Sequence, residues 1–351
     1  MKPILITFAI LTGLAGSTSI QPSLPGSIAV QRTSPSPSAK AQTKHRSTAA
    51  YDDYLTGDAG DATTRTRGGL QLEGGGKDLE DAFRWLIDHA GGGDVVVLRA
   101  SGADDYNAFI RGLGRVDSVE SIVFHSRAAA FDADVITAIE HAEAVFIAGG
   151  DQANYVRYWK GTPVQDALNA LARRGVPLGG TSAGLAVLGQ FSFSAMLDTV
   201  TSAEALANPY VDKVTIERAF LTLPQMDGVI TDSHFVPRDR LGRLTVFLAR
   251  MINDGWTAAA RAIAVNEEAA ALVEADGSAV VVGKGPVYFL RATARPVVCR
   301  PGLPLSIAGI SAYRLPAGGT FNLTTWTGTG GASYVLSVDA GKVTSSTGQL
   351  Y

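Results

Sequence analysis

The chain has 351 residues, of which 46% are apolar and 18% charged, with a formal net charge of −3. These are values of a globular protein with a sizeable core in one large or two medium domains, and the near-neutral balance argues against a general affinity for nucleic acid or anionic membranes. A single cysteine, Cys299, excludes an intramolecular disulfide and a cysteine-based metal cluster, and five scattered histidines without a His-x-x-x-His pair give no zinc pattern.

At the N-terminus, Met1-Lys2, an apolar run over 4–14 and the small residues Ala15, Gly16 and Ser17 follow the order of a secretory signal peptide, read as residues 1–19. The run falls short of the roughly 20 residues a membrane span needs. Export to the periplasm or the exterior is expected, with no membrane association after cleavage. Residues 20–66, rich in Ser, Thr, Pro, Ala and Gln, show neither helix nor strand period and read as a disordered linker or pro-region.

A catalytic domain is expected over 67–288. Leu70-Gln71-Leu72 reads as a strand leading into the turn Gly74-Gly75-Gly76, and a helix follows with Leu79, Phe83, Leu86 and Ile87 on one face. Residues 94–98 are continuously apolar, as a strand covered on both faces would be. A helix over 106–113, a strand over 121–124, a helix over 133–142 and a strand over 144–148 come next, the last ending at Gly149-Gly150. Helical patterns cover 152–159 and 164–173. The succession predicts an α/β fold, a mostly parallel open sheet with helices on both faces and active residues at the C-terminal ends of strands. The triple glycine is not Gly-x-Gly-x-x-Gly, so no dinucleotide cofactor is expected. Beyond 288, Pro, Gly and Thr increase, and alternating runs such as Tyr334-Val335-Leu336-Ser337-Val338 suggest a small C-terminal β-rich extension over 289–351.

The chemistry centres on Gly180-Thr181-Ser182-Ala183-Gly184. A serine between two glycines suits a strained strand-to-helix turn that lifts Oγ clear of the sheet and aims the Ala183 N–H at a developing oxyanion. A glycine-rich turn with an incidental serine is the competing reading. A serine nucleophile needs a base, itself oriented by an acid. His234 follows the apolar Val229-Ile230 and is preferred to His125, which follows the run ending at Phe124. For the acid, Asp198 and Glu267 both qualify; the short interval from Ser182 to His234 favours Glu267. Arg238, Arg240 and Arg243 would present three guanidinium groups beside the base, suited to carboxylates. Gln152 could bond a substrate amide or carboxylate, and the Gly150 N–H is a candidate second oxyanion donor.

Together these residues resemble the cyanophycinase and aspartyl dipeptidase family of serine peptidases. Gly149-Gly150-Asp151-Gln152, Gly179-Gly180-Thr181-Ser182-Ala183-Gly184, and Asp232-Ser233-His234-Phe235 followed by Arg238, Arg240, Gly242, Arg243 and Leu244 carry the match. Asn266-Glu267 leading into Ala271-Leu272-Val273 adds a weaker fourth block, and the resemblance covers 68–288. It implies a flavodoxin- or glutamine-amidotransferase-like fold, neither metal nor cofactor, and a Ser182–His234–Glu267 triad working through an acyl-enzyme. Gln152, Asp232, Arg238, Arg240 and Arg243 would line the substrate pocket. The implied activity of the cyanophycinase branch is exopeptidase release of β-Asp-Arg dipeptides from cyanophycin, a poly-aspartate carrying arginine on its β-carboxylates. Ser233 stands where the family usually has glutamine, and Ala264-Val265-Asn266-Glu267 replaces Gly-Ile-Asp-Glu, so the pocket around Ser233 is expected to differ. An α-aspartyl or isoaspartyl dipeptidase is the alternative within the class. An inactive amidotransferase-like binding protein is the alternative outside it. A homodimer is compatible with each.

Overall fold

The computed structural model describes residues 43–351, so the expected signal peptide and the first part of the expected linker lie outside the described residues. The chain begins β1 (Thr43–Ser47), β2 (Tyr51–Gly57), β3 (Gly69–Glu73), α1 (Glu80–His89), β4 (Val95–Arg99), α2 (Asp105–Leu113) and β5 (Ser118–Phe124). It continues α3 (Ala133–Glu140), β6 (Ala144–Ile147), α4 (Gln152–Trp159), α5 (Pro163–Arg174) and β7 (Leu178–Thr181). Strands β5, β4, β6, β7 and β3 stand side by side in that order, each parallel to its neighbours.

Both faces of this parallel block are covered. Val95, Val97 and Phe146 pack with Phe83, Leu86 and Ile110 of α1 and α2. Val96, Leu98 and Val145 pack with Ile139, Trp159, Leu168 and Leu171 of α3, α4 and α5. Successive residues of a strand thus bury against opposite helix layers, which is why the strands read as unbroken apolar runs. Local signals agree with the bounds. Pro163 opens α5 and Gly175, at φ 80, closes it in the left-handed conformation. Asp151 caps α4 by accepting the Ala153 N–H.

Beyond β7 come the single-turn α6 (Ala183–Ala186), β8 (Phe191–Phe193), α7 (Ser202–Ala207), β9 (Ile216–Arg218), β10 (Val229–Asp232) and α8 (Leu241–Asn253). Then follow β11 (Ala260–Val265), β12 (Ala269–Glu274), β13 (Ser278–Gly283), β14 (Val287–Ala292) and β15 (Ile307–Leu315). The last strands are β16 (Thr320–Asn322), β17 (Thr327–Thr329), β18 (Ala332–Asp339) and β19 (Lys342–Ser345). They do not all extend one sheet. β12 joins the first sheet antiparallel to β3, with β13, β16 and β17 beyond it. β10 and β11, parallel to each other, lie inside a second, eight-stranded sheet ordered β19-β18-β15-β14-β11-β10-β8-β9. The sheets share a core in which Leu72 and Leu178 meet Val229, Ile263, Val265 and Phe289. On the outer face of the second sheet, Leu244, Phe247, Leu248 and Met251 of α8 cover Ile230, Ala262 and Leu290.

Two expectations change. Residues 43–57 are not linker: β1 and β2 add an antiparallel hairpin to the first sheet, β2 pairing with β5 from Tyr51↔Phe124 to Gly57↔Ser118. Only Tyr51 and Thr56 of β2 are buried, so its side chains carry no strict alternation. The C-terminal strands are not an appendage either. β14 crosses the expected boundary at 288, and its successors are divided between the two sheets.

Candidate active site

Ser182 leaves β7 at φ 53 and ψ −111, a conformation that a residue with a side chain adopts only when its surroundings enforce it. The glycines on either side show how. A Cβ on Gly180 would stand 2.7 Å from the carbonyl carbon of Gly184, and one on Gly184 would collide with the Ile147 carbonyl. Across the turn, a Cβ on Gly149 would sit 3.4 Å from Ser182 Cβ, so the loop between β6 and α4 lies against the serine. The Ser182 N–H donates to the Glu73 carbonyl at 3.1 Å. The helix that follows is a single turn of four residues. Its first N–H, that of Ala183, is therefore an orphan donor of a first turn rather than the end of a long helix dipole.

His234 stands two residues beyond β10, at φ 46. Its Nε2 lies 2.7 Å from Ser182 Oγ and its Nδ1 lies 2.6 Å from Glu267 Oε1. The proton on Nδ1 is assigned from that carboxylate partner. Glu267 sits in the turn between β11 and β12. The three side chains thus come from both sheets, the serine from the first and the histidine from the second, instead of from one rim of a single sheet. The acid that meets the ring is Glu267. Asp198 is turned to solvent and pairs with Lys213 at 3.4 Å, and His125 bonds Asp52 at 3.0 Å on the surface.

The residues that seat the imidazole were missed in the sequence. Gly74-Gly75-Gly76, read there only as a turn after β3, stitches the two loops together: Gly74 O accepts the His234 N–H and Gly75 O accepts the Glu268 N–H, each at 2.9 Å. Gly75, at φ 90, lies so close to the ring that an added Cβ would fall 2.6 Å from His234 Nε2. Glu73, the last residue of β3, is fully buried and accepts the Leu79 N–H at 2.7 Å. Burial, with Asp78 nearby, pushes its carboxyl up to about 8.

Burial lowers the His234 pKa below the ordinary 6.5; Arg238 and Arg240 add to the effect and Glu267 opposes it. A base must be neutral to accept the serine proton, so turnover falls as the ring protonates. The acid limb of kcat/KM is therefore expected below pH 6.5, as a pH–rate profile would show.

The arginines differ from expectation. Asp232 and Arg243 are both buried and form a bidentate pair, Nε to Oδ2 at 2.9 Å and the second guanidinium nitrogen to Oδ1 at 2.6 Å. Arg240 donates to Asp232 Oδ1 at 3.2 Å and to the Ser233 carbonyl at 2.8 Å. Burial pulls its guanidinium down to about 10. Ser233 is itself buried. Asp232, Ser233 and Arg243 therefore brace the histidine loop from inside and do not line an open pocket, because a buried carboxylate must be neutralised within the protein. Of the three guanidinium groups, that of Arg238 is the exposed one and has no ion-pair partner among the described residues. Gln152 is half-buried and its amide donates to the Phe193 carbonyl at 3.2 Å. Arg243→Met is expected to destabilise the fold by about 3 kcal/mol in urea unfolding, since it leaves Asp232 to Arg240 alone. Adding Asp232→Asn should recover part of the loss.

A strained serine on a strand-to-helix turn, bonded to a histidine that a carboxylate holds, is the arrangement of a serine-type peptidase. Residues 104–207 match the family model for Peptidase family S51. A cyanophycinase of Trichormus variabilis is 29% identical over 212 residues, which are 59% of this chain and 66% of that protein. A cyanophycinase of Synechococcus elongatus is 28% identical over 274 residues, 73% of this chain and 80% of that one. The crystal structure of a peptidase from an acI-B1 Actinobacterium aligns with a TM-score of 0.48 at 18% identity, covering 74% of this chain and 98% of that one. The chain is thus similar to Peptidase family S51 over residues 104–207 and to cyanophycinases over a longer stretch.

Proposed function

We propose that the chain is an exported, cyanophycinase-like serine exopeptidase that cleaves aspartyl peptides through an acyl-enzyme. The observation that carries this reading is the continuous relay from Ser182 Oγ through His234 to Glu267, mounted on a strained elbow. As Oγ attacks the scissile carbonyl, neutral His234 takes its proton on Nε2, and Glu267 stabilises the imidazolium through Nδ1–H. The N–H groups of Ala183 and Gly150 receive the oxyanion. When the C–N bond breaks, His234 returns the proton to the leaving amine. Water then attacks the ester, gives a proton to the same nitrogen, and the acid departs as Ser182 regains its hydroxyl.

Cyanophycin as the polymer rests on the names of the relatives, and β-Asp-Arg as the product on the resemblance to the cyanophycinase branch. Arg238, free and beside the imidazole, suits a substrate carboxylate. One observation favours a second reading within the class, an α-aspartyl or isoaspartyl dipeptidase: two of the three arginines expected for a polymer pocket are engaged internally. The test offers the full-length protein insoluble cyanophycin and, in parallel, α-aspartyl and isoaspartyl dipeptides, with products identified by mass. Soluble β-Asp-Arg is expected, together with a fluorophosphonate label on Ser182. Cleavage of the dipeptides alone would move the assignment to the second reading. Absence of both label and cleavage would leave a binding protein. N-terminal sequencing of protein recovered from the medium tests removal of residues 1–19.

A further inference from the structure

The relay from Ser182 to Glu267 makes no use of one buried acid beside it. The Glu73 carbonyl accepts the Ser182 N–H at 3.1 Å, and the next two carbonyls, of Gly74 and Gly75, accept the N–H groups of His234 and Glu268 at 2.9 Å. Three consecutive carbonyl groups thus hold the serine turn, the histidine loop and the residue after the orienting acid. The Glu73 side chain has a separate task. Its Oε1 accepts the Leu79 N–H at 2.7 Å, which closes residues 74–79 into a ring of chain on the end of β3. Gly75 and Gly76, at φ 90 and 84, bring no rotational restriction of their own. The closure therefore fixes where the Gly74 and Gly75 carbonyls point.

Both donors to this carboxyl are neutral: the Leu79 N–H, and the Gln71 amide, which reaches Oε2 at 3.3 Å. The side chain is fully buried, and no cation pairs with it among the described residues. The charge that reaches it is that of Asp78, of the same sign. Asp78 in turn is bonded to the Tyr106 hydroxyl of α2 and faced by Arg99 and Asp105, while Glu80 and Asp81 of α1 are exposed. A buried carboxylate with a like charge beside it and no cation is costly, so the neutral acid is the favoured form.

We propose that Glu73 is a positioning residue for the peptidase reaction, on which reading the inference rests: as a neutral carboxyl it closes the 74–79 loop and so sets the carbonyls that hold His234 against Ser182. Ionised, the same carboxyl stands buried beside Asp78, a member of the loop it closes. Relief comes by admitting water or by parting from Asp78, and either shifts Gly74 and Gly75. Burial holds the proton on Glu73 from the ordinary 4.5 up to about 8. The positioning is therefore intact below pH 8 and is lost as the pH rises through that value. Activity then has an alkaline limb set by Glu73 in addition to the acid limb set by His234.

The test compares the full-length parent with Glu73→Gln and Glu73→Ala across about pH 6 to 10. One readout is the rate of fluorophosphonate labelling at Ser182. The other, which needs no turnover, is the imidazole 15N shifts of His234, which report the proton on each ring nitrogen. Parental labelling is expected to fall above about pH 8. Glu73→Gln cannot ionise and keeps an acceptor for the Leu79 N–H. A half-turn of the Gln71 amide lets its Oε1, buried without a donor in the parent, receive the new amide proton. This variant should keep most of the parental rate at neutral pH and lose the alkaline fall. Glu73→Ala leaves the loop unclosed, and labelling about 10²-fold slower is expected, as for a catalytic group displaced by about 1 Å. If the alanine variant does not fold, the pH profiles of the other two proteins decide. An alkaline fall that persists in Glu73→Gln, or equal neutral-pH labelling by all three proteins, would overturn the inference and leave the peptidase reading in place. Absence of labelling in the parent would end that reading instead. The 15N shifts then decide the positioning of the ring alone: a His234 response near pH 8 that Glu73→Gln abolishes supports it, and no such response overturns it.

Discussion

Replacing Ser182 by alanine is expected to lower kcat by about 10⁴-fold or more while the protein stays folded. In the proposed mechanism the hydroxyl is the atom that attacks, and no neighbouring side chain can substitute for it, because the ring of His234 is already committed to that position at 2.7 Å. What the mutation spares is equally defined. The strained turn is enforced by backbone contacts around Gly180 and Gly184 and by the bond from the Ser182 N–H to Glu73, all of which alanine keeps. Stability should therefore change by no more than about 0.5 kcal/mol. Turnover measured beside a denaturation curve checks both halves. A variant that is folded and retains a tenth of parental activity would show that Oγ is not the nucleophile.

How much of this arrangement was legible in the sequence depends on how local its causes are. The parallel strands were readable because burial on both faces leaves continuous apolar runs such as Val95-Val96-Val97-Leu98. The elbow was readable because the close approach at Gly184 admits no side chain. The second sheet was not. Val229-Ile230 and Ile263-Ala264-Val265 have the texture of any buried parallel strand, and nothing local says which sheet they join. The hairpin over 43–57 escaped for a different reason: half-buried residues such as Asp52, Asp53 and Tyr54 mimic a solvated segment. The arginines show a third limit. Spacing places Arg238, Arg240 and Arg243 near the histidine, but only the burial of Asp232 determines that two of them turn inward to neutralise it.

The triple glycine supplies the sharpest remaining expectation, since its importance comes wholly from tertiary contact. Gly75→Ala is expected to reduce kcat by about 10²-fold or more, the usual consequence of displacing a catalytic group by about 1 Å. Two effects act together. At φ 90 an alanine is strained whatever the space around it. Its methyl group would also fall 2.6 Å from His234 Nε2, the nitrogen that must meet Ser182 Oγ. The ring cannot retreat freely, because the His234 backbone N–H is bonded to Gly74 O and the ring Nδ1 to Glu267. It must tilt, and tilting lengthens the bond to the serine before it breaks the one to the glutamate. Fluorophosphonate labelling should accordingly slow in parallel with peptide cleavage, while the Ser182 elbow, built from β6 and β7, keeps its place. Gly76→Ala provides the contrast. The φ of 84 imposes similar strain there, yet the nearest atom is Glu267 Cβ at 3.2 Å and the imidazole is not touched. If both substitutions cost activity equally, backbone strain alone governs the loop. If Gly75→Ala costs far more, the glycine is required because the histidine occupies the space its side chain would fill.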